Sequence, residues 1–371
     1  MTTTDHTKPL LLVAVSPGRS ALARDAFETS KALASDYRLA FLVPKDVEKI
    51  FASLGPVVRW RPQQIVGMTL AIRTLRRAVQ RFRPDLVHAH GYGAAAVTTG
   101  TFPLRLARRT IVSLHDQISE RELATRYVDN AFKRNVRRAG AFTCSYPTLA
   151  RAFERRIALE PDSILAIPHH TPLGAGGAEL ARAPGRPGPI VGWNGPLRAD
   201  RAWESAIDTI VELLRDLPSA KLDIAGTGGA RTLVEAYARE RRVAHVVSLL
   251  GDVSSATFLG GIDAFIGPRT IDAQPHALLE ALCVGVPVVA ANEGAIADAL
   301  RPLPTGWLVE PGAAALADGV RALWDRVDAV WSEAAAQRPQ ALATYGSEAV
   351  VARWRALYAA TIANATAAGE S

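Results

Sequence analysis

Short apolar runs alternate with stretches of helical periodicity along the chain, and this alternation limits the possible folds more than any other feature. Strands separated by helices predict parallel sheets with crossover helices. In the first half the predicted strands are Leu10–Val15, Leu39–Val43, Asp85–His90, Ile111–Leu114, Ala141–Cys144 and Ile164–Ile167. In the second half they are Ile190–Gly192, Lys221–Ala225, Val246–Leu249, Ala264–Ile266 and Val288–Ala290. The sequence therefore predicts an α/β protein with two doubly wound, Rossmann-like sheets.

The break between the two halves is the segment Pro172–Pro189, which is rich in Gly, Ala and Pro and has no apolar periodicity. Such a composition is typical of an interdomain linker. A chain of 371 residues is also long enough for two domains that each bury a core. We therefore predict an N-terminal domain over 1–171, a linker over 172–189, a C-terminal domain over 190–340 and a terminal helical segment over 341–371.

Charge is distributed unevenly between the halves. Residues 1–171 hold 26 Lys and Arg against 14 Asp and Glu, a net charge of +12, whereas residues 172–371 hold 17 against 22, a net charge of −5. A basic half indicates either an anionic partner or general solubility. The amphipathic segment Gly67–Phe82 carries Arg73, Arg76, Arg77 and Arg81 opposite its apolar face, a pattern typical of a crossover helix or of a helix at an anionic membrane surface.

Several classes of protein are disfavoured. No apolar run approaches the 18 or more residues of a membrane span, and the polar start of the chain is unlike a secretory signal, so we expect a cytoplasmic protein. Cys144 and Cys283 lie in apolar surroundings in different halves and are expected to be buried, not bridged. Gly18 follows the first strand without the G-x-G-x-x-G pattern of nicotinamide binding.

The segment Asp272–Ala291 carries the strongest chemical signal. Asp272 and Glu280 are separated by seven residues, Pro275 suits the first position of a helix, and a Gly-Val-Pro turn leads into an apolar strand. The two acids are thus expected around a helix start, whose free amides attract phosphate.

This segment resembles the nucleotide-sugar site of the retaining glycosyltransferases of family 4, which have the GT-B fold. The resemblance implies two Rossmann-like domains facing across a cleft, with a C-terminal helix, here Ser347–Ala363, crossing back to the N-terminal domain. It implies that Asp272 contacts the transferred sugar, that Glu280 binds the ribose, and that the amides of Ala277 and Leu278 bind the diphosphate. Asp272 replaces the family's Glu and is one methylene shorter.

The same family neutralises the diphosphate with an Arg and a Lys after the first strand of the C-terminal domain. Here the Lys position is Arg198, and the Arg position is Trp193, which carries no charge. We expect Arg198 to stabilise the leaving group, with Arg201 or Arg269 as the candidate second cation.

Strand-end residues complete the predicted site. Gly18, Gly226 and Gly294 are placed by the resemblance in loops beside the donor, where Gly226 would leave room for a base or ribose. His115 is expected to face the donor sugar as a catalytic residue, and His90 to lie on the acceptor side. His88 and His90 should share one face of a strand, but without a carboxylate or cysteine partner they do not predict a metal site.

The resemblance implies a retaining, metal-independent glycosyltransferase of glycan biosynthesis. It would need no cofactor and use a UDP- or GDP-type sugar as co-substrate, with a glycan or lipid-linked acceptor on the basic domain. Peripheral contact with the inner face of an anionic membrane is a further expectation. A sugar-nucleotide epimerase of the same fold and a non-catalytic sugar-nucleotide-binding protein remain alternatives. Nucleic acid is not an expected partner, because the basic residues lack interleaved aromatics.

Overall fold

The computed structural model describes residues 7–16, 20–61, 65–114, 132–169, 171, 180–199, 203–268, 275–303 and 307–367. The chain forms two compact units. The first contains residues Met1–His169 and Val350–Ser371, and the second contains His170–Ala349.

The first unit is built on a parallel sheet of seven strands in the order β3-β2-β1-β4-β5-β6-β7. The strands are β1 (Leu10–Val15), β2 (Arg38–Val43), β3 (Val57–Arg59), β4 (Leu86–His90), β5 (Thr110–Leu114), β6 (Ala141–Cys144) and β7 (Ile164–Ala166). Its helices include α1 (Ser20–Ala32), α2 (Glu48–Phe51), α3 (Ile65–Phe82), α4 (Tyr92–Thr101), α5 (Leu104–Ala107) and α6 (Pro147–Ile157). β1 and β4 are buried along their whole length, as expected for central strands covered by helices on both faces.

The second unit has a parallel sheet of six strands in the order β10-β9-β8-β11-β12-β13. The strands are β8 (Ile190–Asn194), β9 (Lys221–Ala225), β10 (Val247–Gly251), β11 (Ala264–Gly267), β12 (Val288–Ala291) and β13 (Trp307–Val309). The helices are α7 (Glu204–Leu213), α8 (Arg231–Glu240), α9 (Ser255–Gly261), α10 (His276–Val284), α11 (Gly294–Leu300), α12 (Ala313–Trp324) and α13 (Val327–Tyr345). The predicted doubly wound α/β fold is confirmed.

The last helix, α14 (Ser347–Ala367), returns to the first unit, as predicted. Its side chains Val350, Trp354 and Tyr358 are buried in the same apolar cluster as β1 and α1, and Leu357 packs against that cluster. An apolar face of this helix therefore forms part of the core of the first unit.

Helix α3 matches the predicted amphipathic segment in its described residues, apart from one well-exposed apolar side chain. Ala71 and Leu75 are buried, and Arg73 and Arg77 are exposed, as expected. Leu70, an apolar residue of the same helix, is 65% exposed. Within the described part of the chain no helix is both long and apolar enough to cross a membrane.

The described end of the predicted linker, residues 180–189, is attached to the second unit by charge. Arg182 Nε lies 3.2 Å from Oδ1 of Asp263, and Arg186 Nη1 lies 2.9 Å from Oδ2 of the same carboxylate. Asp263 has no exposed surface. The backbone N–H of Ile190 donates to the same carboxylate at 2.9 Å. A buried carboxylate needs such partners, so these contacts hold the described part of the segment at Asp263. Cys144 and Cys283 are buried and unbridged, as predicted.

Candidate functional site

The carboxyl ends of β8 and β11 meet at the topological switch point of the second sheet. The chain moves from β8 to β9 and β10 on one side, and then returns to β11, β12 and β13 on the other. Ligands of doubly wound sheets bind at such a point, outside the carboxyl ends of the strands. The loop that begins at Gly195 and the helix α10 are the two segments that follow these strand ends.

The loop after β8 is interlocked with the turn after β9. The N–H of Gly195 donates to the carbonyl of Ala225 at 3.1 Å, and the N–H of Leu197 donates to that of Thr227 at 3.0 Å. The carbonyl of Leu197 in turn accepts from Ala230 N–H at 3.0 Å. These bonds fix the backbone immediately before Arg198.

Arg198 itself is held through its backbone. Its carbonyl accepts a hydrogen bond from the indole N–H of the fully buried Trp203 at 3.0 Å. Its side chain is half-buried at the carboxyl edge of the sheet, the position from which a guanidinium can reach an anion.

The loop after β8 lies so close to Gly226 that only glycine fits at this position. Its φ is +129°, and a Cβ at this position would lie 2.1 Å from the carbonyl oxygen of Gly195. Gly228, with φ of +157°, would place a Cβ 2.2 Å from the carbonyl oxygen of Leu197. The space beside these two glycines is therefore filled by the loop after β8. Only Gly229 of this turn has open space around a Cβ. A donor contact at Gly226 stays a prediction.

Trp193, at the position where the family has an Arg, belongs to the apolar core of the second unit and is 6% exposed. A Cβ on Gly195 would approach its ring to 2.7 Å. The chain thus has a core side chain at the position where the family that the sequence resembles has a cation. Arg201 and Arg269, the candidate replacements, lie outside the described residues.

Helix α10 begins at the switch point. Pro275 is its N-cap and not its first helical residue, a shift of one position from the prediction, and its carbonyl accepts from Leu279 N–H at 3.0 Å. Ala277 and Leu278 lie in the first turn, where amides have no partner within a helix. Leu278 and Ala281 are buried, whereas Ala277 and Leu282 are half-buried.

Glu280 is a buried carboxylate in this helix, with 6% of its surface exposed. Burial raises the pKa of the neighbouring Cys283 thiol to about 11, and the charge of Glu280 contributes in the same direction. Asp272 lies outside the described residues. Gly294 is the first residue of α11, with φ of +52° and open space around a Cβ.

The first sheet has its own switch point between β1 and β4. Ser16, directly after β1, donates its N–H to the carbonyl of His90 at 2.9 Å, and its hydroxyl accepts from Ala94 N–H at 2.8 Å. Gly91 follows with φ of +83°, where a Cβ would lie 2.8 Å from the side chain of Leu22. Gly18 and His115 lie outside the described residues.

His88 and His90 share one face of β4, as the alternation predicted, and their rings are 3.8 Å apart. Both are buried. His88 Nδ1 is 2.6 Å from the hydroxyl of Tyr358, and its Nε2 is 2.6 Å from Ser113 Oγ. Burial raises the pKa of Tyr358 well above its usual value. No group of three His, Cys, Asp or Glu able to hold a metal ion occurs among the described residues.

Sequence profiles of two families match the chain. The profile of Glycosyltransferase Family 4 covers residues 22–174, and that of the Glycosyl transferases group 1 covers residues 196–338, which include the loop of Arg198 and helix α10. This chain is a GT-B glycosyltransferase of the family 4 type. No curated protein sequence matches this glycosyltransferase significantly.

Solved structures share its fold at low sequence identity. The Anabaena protein HepE, solved with UDP, superposes with a TM-score of 0.78 at 15% identity, covering 95% of this chain and all of HepE. A Rickettsia africae glycosyltransferase gives a TM-score of 0.74 at 12% identity, covering 96% and 99% of the two chains. Sucrose-phosphate synthase from Thermosynechococcus elongatus gives 0.73 at 16% identity, covering 96% and 100%.

One cluster of this glycosyltransferase was not predicted. The sequence shows no Ser-His-Asp signature, yet the fold brings Ser145, His169 and Asp25 together, with His169 Nε2 2.7 Å from Ser145 Oγ and Nδ1 in contact with the Asp25 carboxylate. His169 follows Ile167 and Pro168 and stands where the Ile-Pro-Asn-Gly run of the family that the sequence resembles has its Asn. Asp25 is 144 residues away, so no local pattern could have paired them.

Proposed function

We propose that the protein is a retaining glycosyltransferase that moves a sugar from a UDP- or GDP-type nucleotide sugar to an acceptor bound by the basic first unit. The observation that carries the proposal is Glu280, a buried carboxylate in the helix that begins at the switch point of the second sheet. The family supports it, as does HepE, which has been solved with UDP and with UDP-glucose.

Glu280 binds the ribose, because a carboxylate accepts hydrogen bonds from two hydroxyls. The first-turn amides of α10, at Ala277 and Leu278, bind the diphosphate, where the helix dipole favours negative charge. Asp272 and His115 contact the transferred sugar. Gly18, Gly226 and Gly294 line the donor, and His90 lies toward the acceptor.

The chemistry is a front-face displacement. The bond between the anomeric carbon and the phosphate oxygen breaks, the acceptor oxygen attacks from the same face, and its proton passes to the departing phosphate. Negative charge develops on that phosphate, and the Arg198 guanidinium stabilises it. Because this cation and the helix start supply the stabilisation, the reaction proceeds without a metal or other cofactor.

The acceptor is a glycan or a lipid-linked sugar at the inner face of an anionic membrane. The exposed Arg73 and Arg77 on α3, together with the exposed Leu70, support the membrane part of this proposal. An epimerase of the same fold would use the donor without an acceptor, and a non-catalytic protein would bind the donor without turnover.

The donor site is tested by thermal denaturation with UDP, GDP, ADP and their sugars. We expect one nucleotide to raise the midpoint, since a ligand at 100 times its Kd stabilises the folded state by about 2.7 kcal/mol. Glu280→Gln should weaken the binding of that nucleotide by about tenfold or more, because a buried contact with the ribose is lost. Glu235 is a partly exposed acid on α8 of the same unit, and Glu235→Gln is the matched control that should bind the nucleotide as the wild type does.

Two results would count against this assignment. If no nucleotide stabilises the wild type, the donor-binding function is wrong. If Glu280→Gln binds as the wild type does, the ribose lies elsewhere. A transferase should release free nucleotide only when an acceptor is added, whereas an epimerase needs no acceptor. Measuring nucleotide release with and without acceptor therefore distinguishes the two reactions.

A further inference from the structure

Ser145, His169 and Asp25 form a cluster that we call the buried triad. Ser145 follows β6 directly, His169 lies three residues after β7, and Asp25 belongs to α1. Their exposed fractions are 2%, 3% and 5%. The three residues thus connect the carboxyl ends of β6 and β7 to the first helix.

The order of contacts matches that of a catalytic triad, in which a carboxylate binds Nδ1 of His and a serine hydroxyl binds Nε2. A nucleophilic serine must also meet a substrate carbonyl beside an oxyanion hole. Ser145 has almost no exposed surface from which to do so. Burial therefore favours a role within the fold over a second hydrolytic site.

The buried triad contacts α1, the helix that starts at the switch point of the first sheet. Ile167, just before His169, is buried in the same apolar cluster as Leu22 and Ala26 of α1. Leu22 in turn lies against Gly91, directly after His90. The start of α1 is therefore held by apolar contact at Leu22 and by a hydrogen bond at Asp25, one turn further on.

We propose that His169 is a positioning residue that holds the start of α1 at this switch point through its Nδ1–H contact with Asp25, and that acceptor binding by the first unit depends on it. The part of the proposal that concerns the acceptor rests on the proposed function. The contact is a hydrogen bond to a buried carboxylate, which is stronger than a bond between neutral groups and costly to leave unmade.

Two substitutions separate the two bonds of His169. The amide nitrogen of Asn can take the place of Nδ1, so His169→Asn keeps a donor for Asp25 and loses the contact with Ser145. The amide nitrogen of Gln reaches the place of Nε2, so His169→Gln keeps a partner for Ser145 and leaves Asp25 without this donor. Because the family has Asn at this position, His169→Asn also serves as the conservative rescue.

Hydrogen exchange of the backbone amides of α1 is the first measurement, since it needs no substrate. We expect His169→Gln to speed exchange over residues 22–32 by about tenfold, the effect of losing a hydrogen bond to a charged group, while His169→Asn stays within about threefold of wild type. Asp25→Asn keeps the shape of the Asp25 side chain but not its charge, so its exchange rates should lie between those of the two His169 variants. This variant replaces His169→Gln in the test if that protein does not fold.

Kinetics provide the second measurement. His169→Gln should raise the acceptor KM by about tenfold, with kcat within about threefold and with unchanged nucleotide-induced stabilisation of the second unit. The proposal would be overturned if the exchange rates of α1 were unchanged in His169→Gln, or if the rates rose equally over all strands of the first unit. Equal exchange rates in His169→Asn and His169→Gln would also overturn it. Labelling of Ser145 by a fluorophosphonate would overturn it too, because it would show a reactive serine. If wild type has no transferase activity, the proposed function fails, and the exchange result still decides the positioning role.

Discussion

Gly226 shows how one residue fixes the loop that carries Arg198. Gly226→Ala would place a methyl group 2.1 Å from the carbonyl oxygen of Gly195, at a φ of +129° that alanine rarely adopts. We expect the substitution to lower the free energy of unfolding by about 2–5 kcal/mol, from strain together with overpacking. Chemical denaturation of Gly226→Ala and of the wild type measures this loss.

Gly229→Ala is the matched control in the same turn. A Cβ at Gly229 meets no atom within 4 Å, so we expect a change within about 0.5 kcal/mol. If both substitutions destabilise the protein equally, the interlocking of the two loops does not explain Gly226.

The position of a residue in the fold was predictable where the signal is local. Glu280 was expected inside the helix that follows Pro275, and the structure places it there as a buried side chain. Trp193 could be recognised as a lost cation from its spacing to Arg198, but not as a core residue. Its burial depends on α7 and α12 packing over β8, contacts that no local pattern contains. The contact of His169 with Asp25 has the same origin.

At the scale of elements, buried strands were predicted best. Lys221–Ala225 and Ala141–Cys144 have the bounds that the sequence indicated, because the apolar run ends where the chain reaches a polar or glycine turn. The short strands Val57–Arg59 and Trp307–Val309 were missed. They lie at sheet edges and are only partly buried, so their sequences carry little of the apolar signal.

Helix α3 offers a prediction about charge. Arg73→Gln with Arg77→Gln should weaken binding to vesicles of anionic phospholipid by about 30-fold at low salt, since each basic residue near such a surface contributes about 1 kcal/mol. Co-sedimentation with vesicles of phosphatidylglycerol and phosphatidylcholine measures the effect. Arg231→Gln with Arg239→Gln on α8 removes the same charge from the second unit and should bind as wild type does. Equal losses in both variants, or no binding by wild type, would exclude α3 as the membrane contact.

One fold pattern occurs twice in the chain, and the two halves of the sequence that form it have net charges of opposite sign. Both sheets have strand orders in which the first strand neighbours the second and the fourth, so each has a switch point at the carboxyl end of its first strand. The basic sequence belongs mainly to the first unit and the acidic sequence to the second. Similar scaffolds thus carry opposite net charges, and this difference supports the proposal of an anionic acceptor on the first unit.

The stereochemistry of transfer tests the molecule as a whole. A single displacement from the face opposite the leaving group inverts the anomeric carbon, whereas attack from the same face retains its configuration. We expect retention, so an α-linked donor should give an α-linked product. Where the acceptor is unknown, slow hydrolysis of the donor serves instead, and proton NMR taken before mutarotation identifies the first anomer released. A β-anomer would contradict the front-face mechanism, and loss of turnover in EDTA would contradict a reaction in which Arg198 and the start of α10 suffice to stabilise the leaving diphosphate.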